Sequence, residues 1–183
     1  MKVLYRVLKY LYHQLREDPL VGHLNRGLKV GANFGLMEEV IIDYSHAWHI
    51  TIGDDVTLAP RVHILAHDAS TKRPLGYTRL GKVNIGNRVF VGAGSIILPG
   101  VTIGDDVIIG AGSVVARNVE SGQVVAGNPA VFRCPTEEYL NRKKEEMATY
   151  PVFDASYTLS QGVTEAMKDD MNKKMVSRLG YVE

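Results

Sequence analysis

Four of the six histidines, His46, His49, His63 and His67, fall within 22 residues of one another. An imidazole titrates near working pH, so each is a candidate general base or, when neutral, a candidate metal ligand. Their spacing gives a shared metal no support. His67 stands apart because it opens the stretch HDASTKRPLGYTRLGKV, rich in Gly, Pro and basic residues. A long loop in a compact fold is usually functional, and loops held by a rigid scaffold carry chemistry. Asp68 follows directly and is able to orient a ring, bind a substrate or cap a turn.

What must position His67 is a repeat. From Ile85 an aliphatic residue recurs every six positions: Ile85, Val91, Ile97, Ile103, Ile109, Val115. Upstream the pattern runs through Ile52, Leu58 and Ile64. Four residues after each comes a small or branched residue, as in Val89, Ser95, Val101, Val107 and Ser113. A period of six suits neither a helix nor a lone amphipathic strand. It suits a solenoid with three flat sides per coil, the aliphatic residue pointing inward and stacking on its counterpart one coil away. Gly, Asp and Asn follow at corners, where the backbone is expected to need left-handed or tight conformations. An α/β arrangement would need crossover helices, and the intervals between strands are too short for them. Between Ile64 and Ile85 the step of six becomes 21, so about fifteen residues leave the coil as the loop that His67 opens. Residues 28 to 51 form a poorly registered first coil: His46 falls where an aliphatic residue belongs, and VIID (40 to 43) offers a different inward set.

The run IGNRVFVGAGSIILPGVTIGDDVIIGAGSVV resembles the hexapeptide-repeat acyltransferases. The preceding AHDASTKRPLGYTRLGKVNIG resembles the sugar O-acetyltransferases of that superfamily, the galactoside and maltose type, and is most similar to members that modify surface polysaccharides. The resemblance covers about residues 28 to 133. It implies a mainly β protein built on a left-handed parallel β-helix, an acetyl-CoA donor with no metal required, and a homotrimer with each active site between two β-helices. The left hand comes only from the resemblance, since parallel crossovers are ordinarily right-handed. The family's catalytic histidine matches His67, and Asp68 is taken as its companion. Ala93 and Ala111, one coil apart, match its contacts to the CoA arm. The backbone N–H groups of Gly92, Ala93 and Gly94 are candidates for the oxyanion donor. GNPA (127 to 130) resembles the family's closing turn near the adenine, but Val131 stands where a basic residue is usual, so Arg117 and Arg133 are the expected phosphate contacts. Phe90 replaces a common tryptophan and implies packing only. Asp43, beside His46, is the expected acceptor-binding carboxylate, and Tyr44 and Trp48 are able to stack on a sugar face. The acceptor is expected to be a saccharide or small-molecule hydroxyl. The same chemistry would serve an amino sugar or a xenobiotic. Two other readings are a zinc enzyme of the carbonic-anhydrase type and a non-catalytic β-helix scaffold.

Composition fits this picture. A net charge of +1 with no basic block gives a nucleic-acid partner no support. The lone Cys134 excludes an internal disulfide and suits the cytoplasm. No apolar run spans a bilayer, and Arg6 and Lys9 interrupt any secretory signal. Residues 1 to 24 read as an amphipathic helix, basic on one side, ended by Asp18, Pro19 and Gly22. Packing on a neighbour is the expected role, with membrane-surface association as the alternative. The β-helix should fill residues 25 to 133 with its loop at 67 to 84. Residues 134 to 183 should form a helical extension, with helices near 136 to 147 and 162 to 178.

Overall fold

The computed structural model describes residues 19–176 and 179–183. Two compact units are present, one ending at Thr136 and one running from Glu137 to Glu183. The N-terminal amphipathic helix expected over residues 1 to 24 lies mostly outside the described residues. Pro19–Leu24 is helical, so Gly22 lies within a helix; the end expected for the preceding helix at Asp18 lies outside the described residues.

The first unit is a parallel β-solenoid with three faces. Face 1 stacks Lys29–Val30, Ile50–Ile52, Val83–Ile85 and Thr102–Ile103. Face 2 stacks Gly35–Leu36, Thr57–Leu58, Phe90–Val91, Ile108–Ile109 and Gln123–Ala126. Face 3 stacks Ile41–Ile42, His63–Ile64, Ile96–Ile97 and Val114–Val115. Within each face the inward residues pair one above another, as in Val91↔Ile109 and Ile97↔Val115. Leu58, Ile64, Ile97 and Ile109 are fully buried, and each such side chain contributes about 1.5–3 kcal/mol. The alternate residue of each strand points out. On face 1 these are Lys29, Thr51, Asn84 and Thr102, all exposed. On faces 2 and 3 they include Phe90, Ile108, Ile41, Ile96 and Val114, so two of the three outer faces are apolar.

The corners divide their demands between two positions. At the passage from face 1 to face 2 the residue after the inward aliphatic is glycine (Gly31, Gly53, Gly86 and Gly104) because the next coil passes too close for a side chain. A Cβ on Gly86 would lie 2.8 Å from the Gly104 carbonyl carbon and 2.9 Å from the Asp105 nitrogen. The left-handed conformations expected of Gly, Asp and Asn at the corners fall three residues after the inward aliphatic, at Asp55, Gly94, Asp106 and Gly112, and also at Arg61 and Arg88. Asp and Asn side chains brace the first corner. Asp54 Oδ1 accepts from Ala32 N, Asn87 Oδ1 from Asp54 N, and Asp105 Oδ1 from Asn87 N. Ser95 and Ser113 fill buried inner positions because their hydroxyls donate to the Gly110 carbonyl.

The first coil does keep register. Its inward residues are Val30, Leu36 and Ile42, paired with Ile52, Leu58 and Ile64. The slip is a four-residue insertion after Ile42. His46 lies in that insertion and is not in the inward column. The repeat fades after Val119 because Gln123–Ala126 pairs with an antiparallel strand, Val131–Pro135, which extends the edge of face 2 and ends the parallel stacking. The second unit holds the rest of helix Thr136–Met147, helix Glu165–Lys174 and a parallel ladder of Val152–Phe153 with Tyr181–Val182. It is therefore a mixed extension and not a purely helical one. Among the described residues no helix is long and apolar enough to cross a membrane.

Gly86→Ala should destabilise the solenoid by about 1–3 kcal/mol, as overpacking against backbone does, measured by urea unfolding. Equal stability of the variant and the wild type would show that adjacent coils are not in contact at this corner.

Candidate active site

Two insertions leave the solenoid at one corner, the passage from face 3 to face 1. The first follows Ile42 in one coil and the second follows Ile64 in the next. Stacked coils place Ile42 against Ile64, so the residues that open the insertions meet. Asp43 starts the first. His67 lies three residues into the second.

The second insertion is an ordered hairpin. His67–Asp68 pairs antiparallel with Arg79–Leu80, and a short helix, Lys72–Leu75, closes the tip with Gly76 left-handed. It ends at Lys82, earlier than expected, because Val83 is a buried strand residue of face 1. Gly81 is pressed against Pro99 and Gly100 of the next coil. An open cleft lies beside the hairpin, lined by Leu65, His67, Asp68, Ala69, Arg79, Leu98 and Pro99.

At the base of the hairpin His67 Nδ1 makes a short hydrogen bond to Asp43 Oδ2. The Asp43 side chain is 1% exposed and that of His67 34%, so a buried carboxylate holds a ring that reaches solvent. Both carboxylate oxygens are engaged by the protein. Oδ2 also accepts from Ala66 N at 2.9 Å, and Oδ1 accepts from Ser45 N and His46 N at 3.1 Å. Burial pushes the carboxyl up, but the His67 hydrogen bond, the Ala66 N–H, the His67 charge and the His46 N–H outweigh it, and the group sits below its ordinary value of 3.8. Asp43, expected to hold the acceptor, is thus engaged with His67 and with backbone. Asp68, expected as His67's companion, turns to the Ser70 N–H at 2.9 Å and caps the hairpin turn.

Beside this pair stand more rings. His46 lies 4.9 Å from His67 and 5.3 Å from Trp48, centroid to centroid, and His49 stacks on His46 at 6.2 Å. Trp48 is 51% exposed. Tyr44 is engaged elsewhere, under the Arg26 guanidinium at 3.8 Å. His63 is half-buried on the outward side of face 3 and lies outside the cluster of Asp43, His46 and His67. Sequence reasoning did not foresee that Asp43 grips His67. The aliphatic pair Ile41–Ile42 just before it was the available signal, since it sets the register.

The corner between faces 2 and 3 carries Ala93 and Ala111, both exposed. Gly92 N and Gly94 N donate to the carbonyls of Ile109 and Pro60, and Gly112 N donates to Ala93 O. Of the three N–H groups at this turn, the Ala93 N–H alone keeps no partner among the described residues, and the Ala111 N–H one coil on is likewise unengaged. Arg117 is exposed. Arg133 donates to Ala126 O at 3.0 Å, tying the returning strand to the last coil.

Comparisons agree with this architecture. Residues 82–117 match the bacterial transferase hexapeptide (six repeats). The chain is 39% identical over 134 residues to Protein CapG of Staphylococcus aureus, covering 67% of this chain and 73% of CapG. A maltose O-acetyltransferase from Clostridium difficile 630 is similar in structure, with a TM-score of 0.54, 30% identity, and 71% of this chain and 83% of that one covered. A galactoside acetyltransferase in complex with coenzyme A gives a TM-score of 0.53 at 29% identity, covering 62% of this chain and 67% of that one. The chain spans 51% to 73% of the length of the curated relatives it matches.

Asp43→Ala leaves three backbone N–H groups without their acceptor and should cost about 2–5 kcal/mol at pH 7. The folded pKa is depressed, so the stabilisation is complete above the unfolded value of about 3.9 and is lost as pH falls through the lower folded value. Urea unfolding should show the gap from wild type narrowing below about pH 4. Asp68→Ala, at an exposed turn, should lose much less.

Proposed function

Because the chain belongs to the hexapeptide-repeat acetyltransferases, we propose that it is an acetyl-CoA-dependent O-acetyltransferase acting on a sugar hydroxyl, with His67 as general base. The observation that carries this is the buried Asp43 carboxylate on His67 Nδ1. A carboxylate there keeps the proton on Nδ1 and leaves Nε2 with a free lone pair, directed away from the carboxylate. The donor class rests on the relatives, one of which is a complex with coenzyme A. Unengaged N–H groups at Ala93 and Ala111 suit it. The left hand of the coil is part of the same reading and rests on the family.

The reaction balances with few groups. His67 Nε2 takes the proton of the acceptor hydroxyl as its oxygen bonds to the acyl carbon. The developing oxyanion faces a backbone N–H, for which Ala93 is the candidate. The carbon–sulfur bond then breaks, and His67 returns the proton to the departing thiolate. Asp43 touches no reacting atom. It is a positioning residue that fixes the tautomer and stabilises the imidazolium. Asp68 shapes the hairpin turn, and the phosphate contacts fall to Arg117 and, more weakly, Arg133. Trp48, exposed beside the cluster, is a candidate platform for the sugar ring.

The assembly belongs to the proposal. Apolar outer residues on faces 2 and 3 leave a single chain with two uncovered faces, and a homotrimer of parallel solenoids covers both. Light scattering at micromolar concentration should give three times the 20.2 kDa chain mass. A monomer would remove the shared-site part of the reading.

His67→Ala should lower kcat by about two to four orders of magnitude, the usual worth of a positioned base. The thermal shift given by CoA should persist, because the base meets the acceptor and not the nucleotide. Asp43→Asn should cost about two to four orders in kcat with KM for acetyl-CoA little changed, since it permits the wrong tautomer. His63→Ala should cost far less than His67→Ala. A dead His63 variant beside an active His67 variant, or no thermal shift with millimolar CoA, would refute this reading.

A further inference from the structure

We propose that Asp43, His46 and His67 together form a binding site for a divalent cation of the zinc type, and that its occupancy silences acetyl transfer. The silencing rests on the reading of His67 as base; the site does not. One carboxylate oxygen and one ring nitrogen from each histidine lie within 4.8 Å of one another. Two imidazoles and a carboxylate are a ligand set that zinc, copper and nickel accept.

Three features of the cluster go beyond proximity. Both Nδ1 atoms face a single carboxylate: that of His67 bonds Oδ2, and that of His46 lies 3.8 Å from Oδ1. Two donors each about 2.1 Å from a tetrahedral zinc ion stand about 3.4 Å apart. The His46–Asp43 pair at 3.8 Å is close to that spacing, the widest pair must close by at most about 1.4 Å, and the short His67–Asp43 contact must open to admit the ion. His46 Nδ1 is buried and has no hydrogen-bond partner among the described residues. Native structures rarely leave such an atom unsatisfied, and an ion between it and Asp43 would satisfy it. Finally, Asp43 is fixed by backbone N–H groups of Ser45, His46 and Ala66. Outer-shell bonds of this kind orient a metal-binding carboxylate. Three protein ligands leave a fourth tetrahedral position for water.

The consequence follows from proton bookkeeping. A neutral imidazole carries one N–H. Without metal that proton lies on Nδ1, toward Asp43, and Nε2 is basic. An ion at Nδ1 uses the lone pair there, so the ring's single proton sits on Nε2. No proton is released by the ring and no redox change is involved, yet Nε2 has become a donor and is unable to accept the hydroxyl proton. The ion therefore inhibits by fixing the wrong tautomer, without entering the acyl-donor slot at Ala93 and Ala111.

The chain carries its own reporter. Trp48 is the single tryptophan, 5.3 Å from the His46 ring and 5.5 Å from that of His49. The full chain, stripped with a chelator, is titrated with zinc chloride by calorimetry and with copper chloride by Trp48 emission. One zinc per chain at micromolar concentration, and quenching with the same stoichiometry, are expected. His46→Ala should weaken binding at least about tenfold, whereas His49→Ala should leave it unchanged. Zinc should inhibit the wild type reversibly, and the turnover that His46→Ala retains should resist at least about tenfold more zinc. Binding that survives His46→Ala and is lost in His49→Ala, binding only at millimolar concentration, or full turnover at saturating zinc would each overturn the proposal. A chain that binds zinc through His46 but transfers no acetyl group upholds the site and sinks the reading of His67 as base.

Discussion

The structure depends on the coil-to-coil register. Backbone hydrogen bonds run from each coil to the next on all three faces, as from Gly86 N to Ile103 O and from Gly92 N to Ile109 O. They can form only if every coil brings its inward residue to the same height. A residue added on a face would break the ladder above and below it, so additions must leave at a corner. Both insertions do so at the passage from face 3 to face 1, one coil apart, and the Asp43–His67 pair sits where they meet.

That geometry explains how a regular scaffold holds a precise pair of side chains. Asp43 is the first residue beyond the inward Ile42, so its position is set by the stacking of Ile42 on Ile64. Its own N–H donates to Ile64 O, and its oxygens take the N–H groups of Ser45, His46 and Ala66. His67 is held from the other side by the hairpin, whose Gly81 N donates to Ala66 O. The carboxylate lies within the scaffold and the imidazole at its edge. A buried anion is tolerated because it accepts charge-assisted bonds throughout. The same crowding brings the His46 Nδ1 into the cluster without a hydrogen-bond partner among the described residues.

The corners show how unlike constraints share six residues. Where face 1 turns into face 2, close approach demands glycine immediately after the inward residue, while a left-handed backbone is needed two positions further on. At that second position Arg88 and Asp106 accept the strained backbone and pair with each other, Nε to Oδ1 at 2.6 Å. Outside the coils, faces 2 and 3 remain apolar where face 1 is polar, an asymmetry that a partner would resolve.

The solenoid, its inward column and the place of the long loop were legible from residue types alone, because a period of six with buried aliphatics has few other solutions. His67 stood out for the same reason, as the residue opening an interruption. The tertiary structure decided what the linear pattern could not. It chose Ile42, within the VIID set that the sequence offered, as the inward residue of the first coil, since stacking on Ile64 fixes the four-residue insertion that follows. It gave the contacts of Asp43 and Asp68: neighbours in sequence need not be neighbours in a coil, and the residue one coil below reaches His67 while the adjacent one turns to its own backbone. It also separated free N–H groups from committed ones at Gly92, Ala93 and Gly94, which depends on the carbonyls of the adjoining coils. Periodicity fixes contacts inside a repeat. Contacts between insertions depend on where each leaves the repeat, and that is a property of the stacked coils.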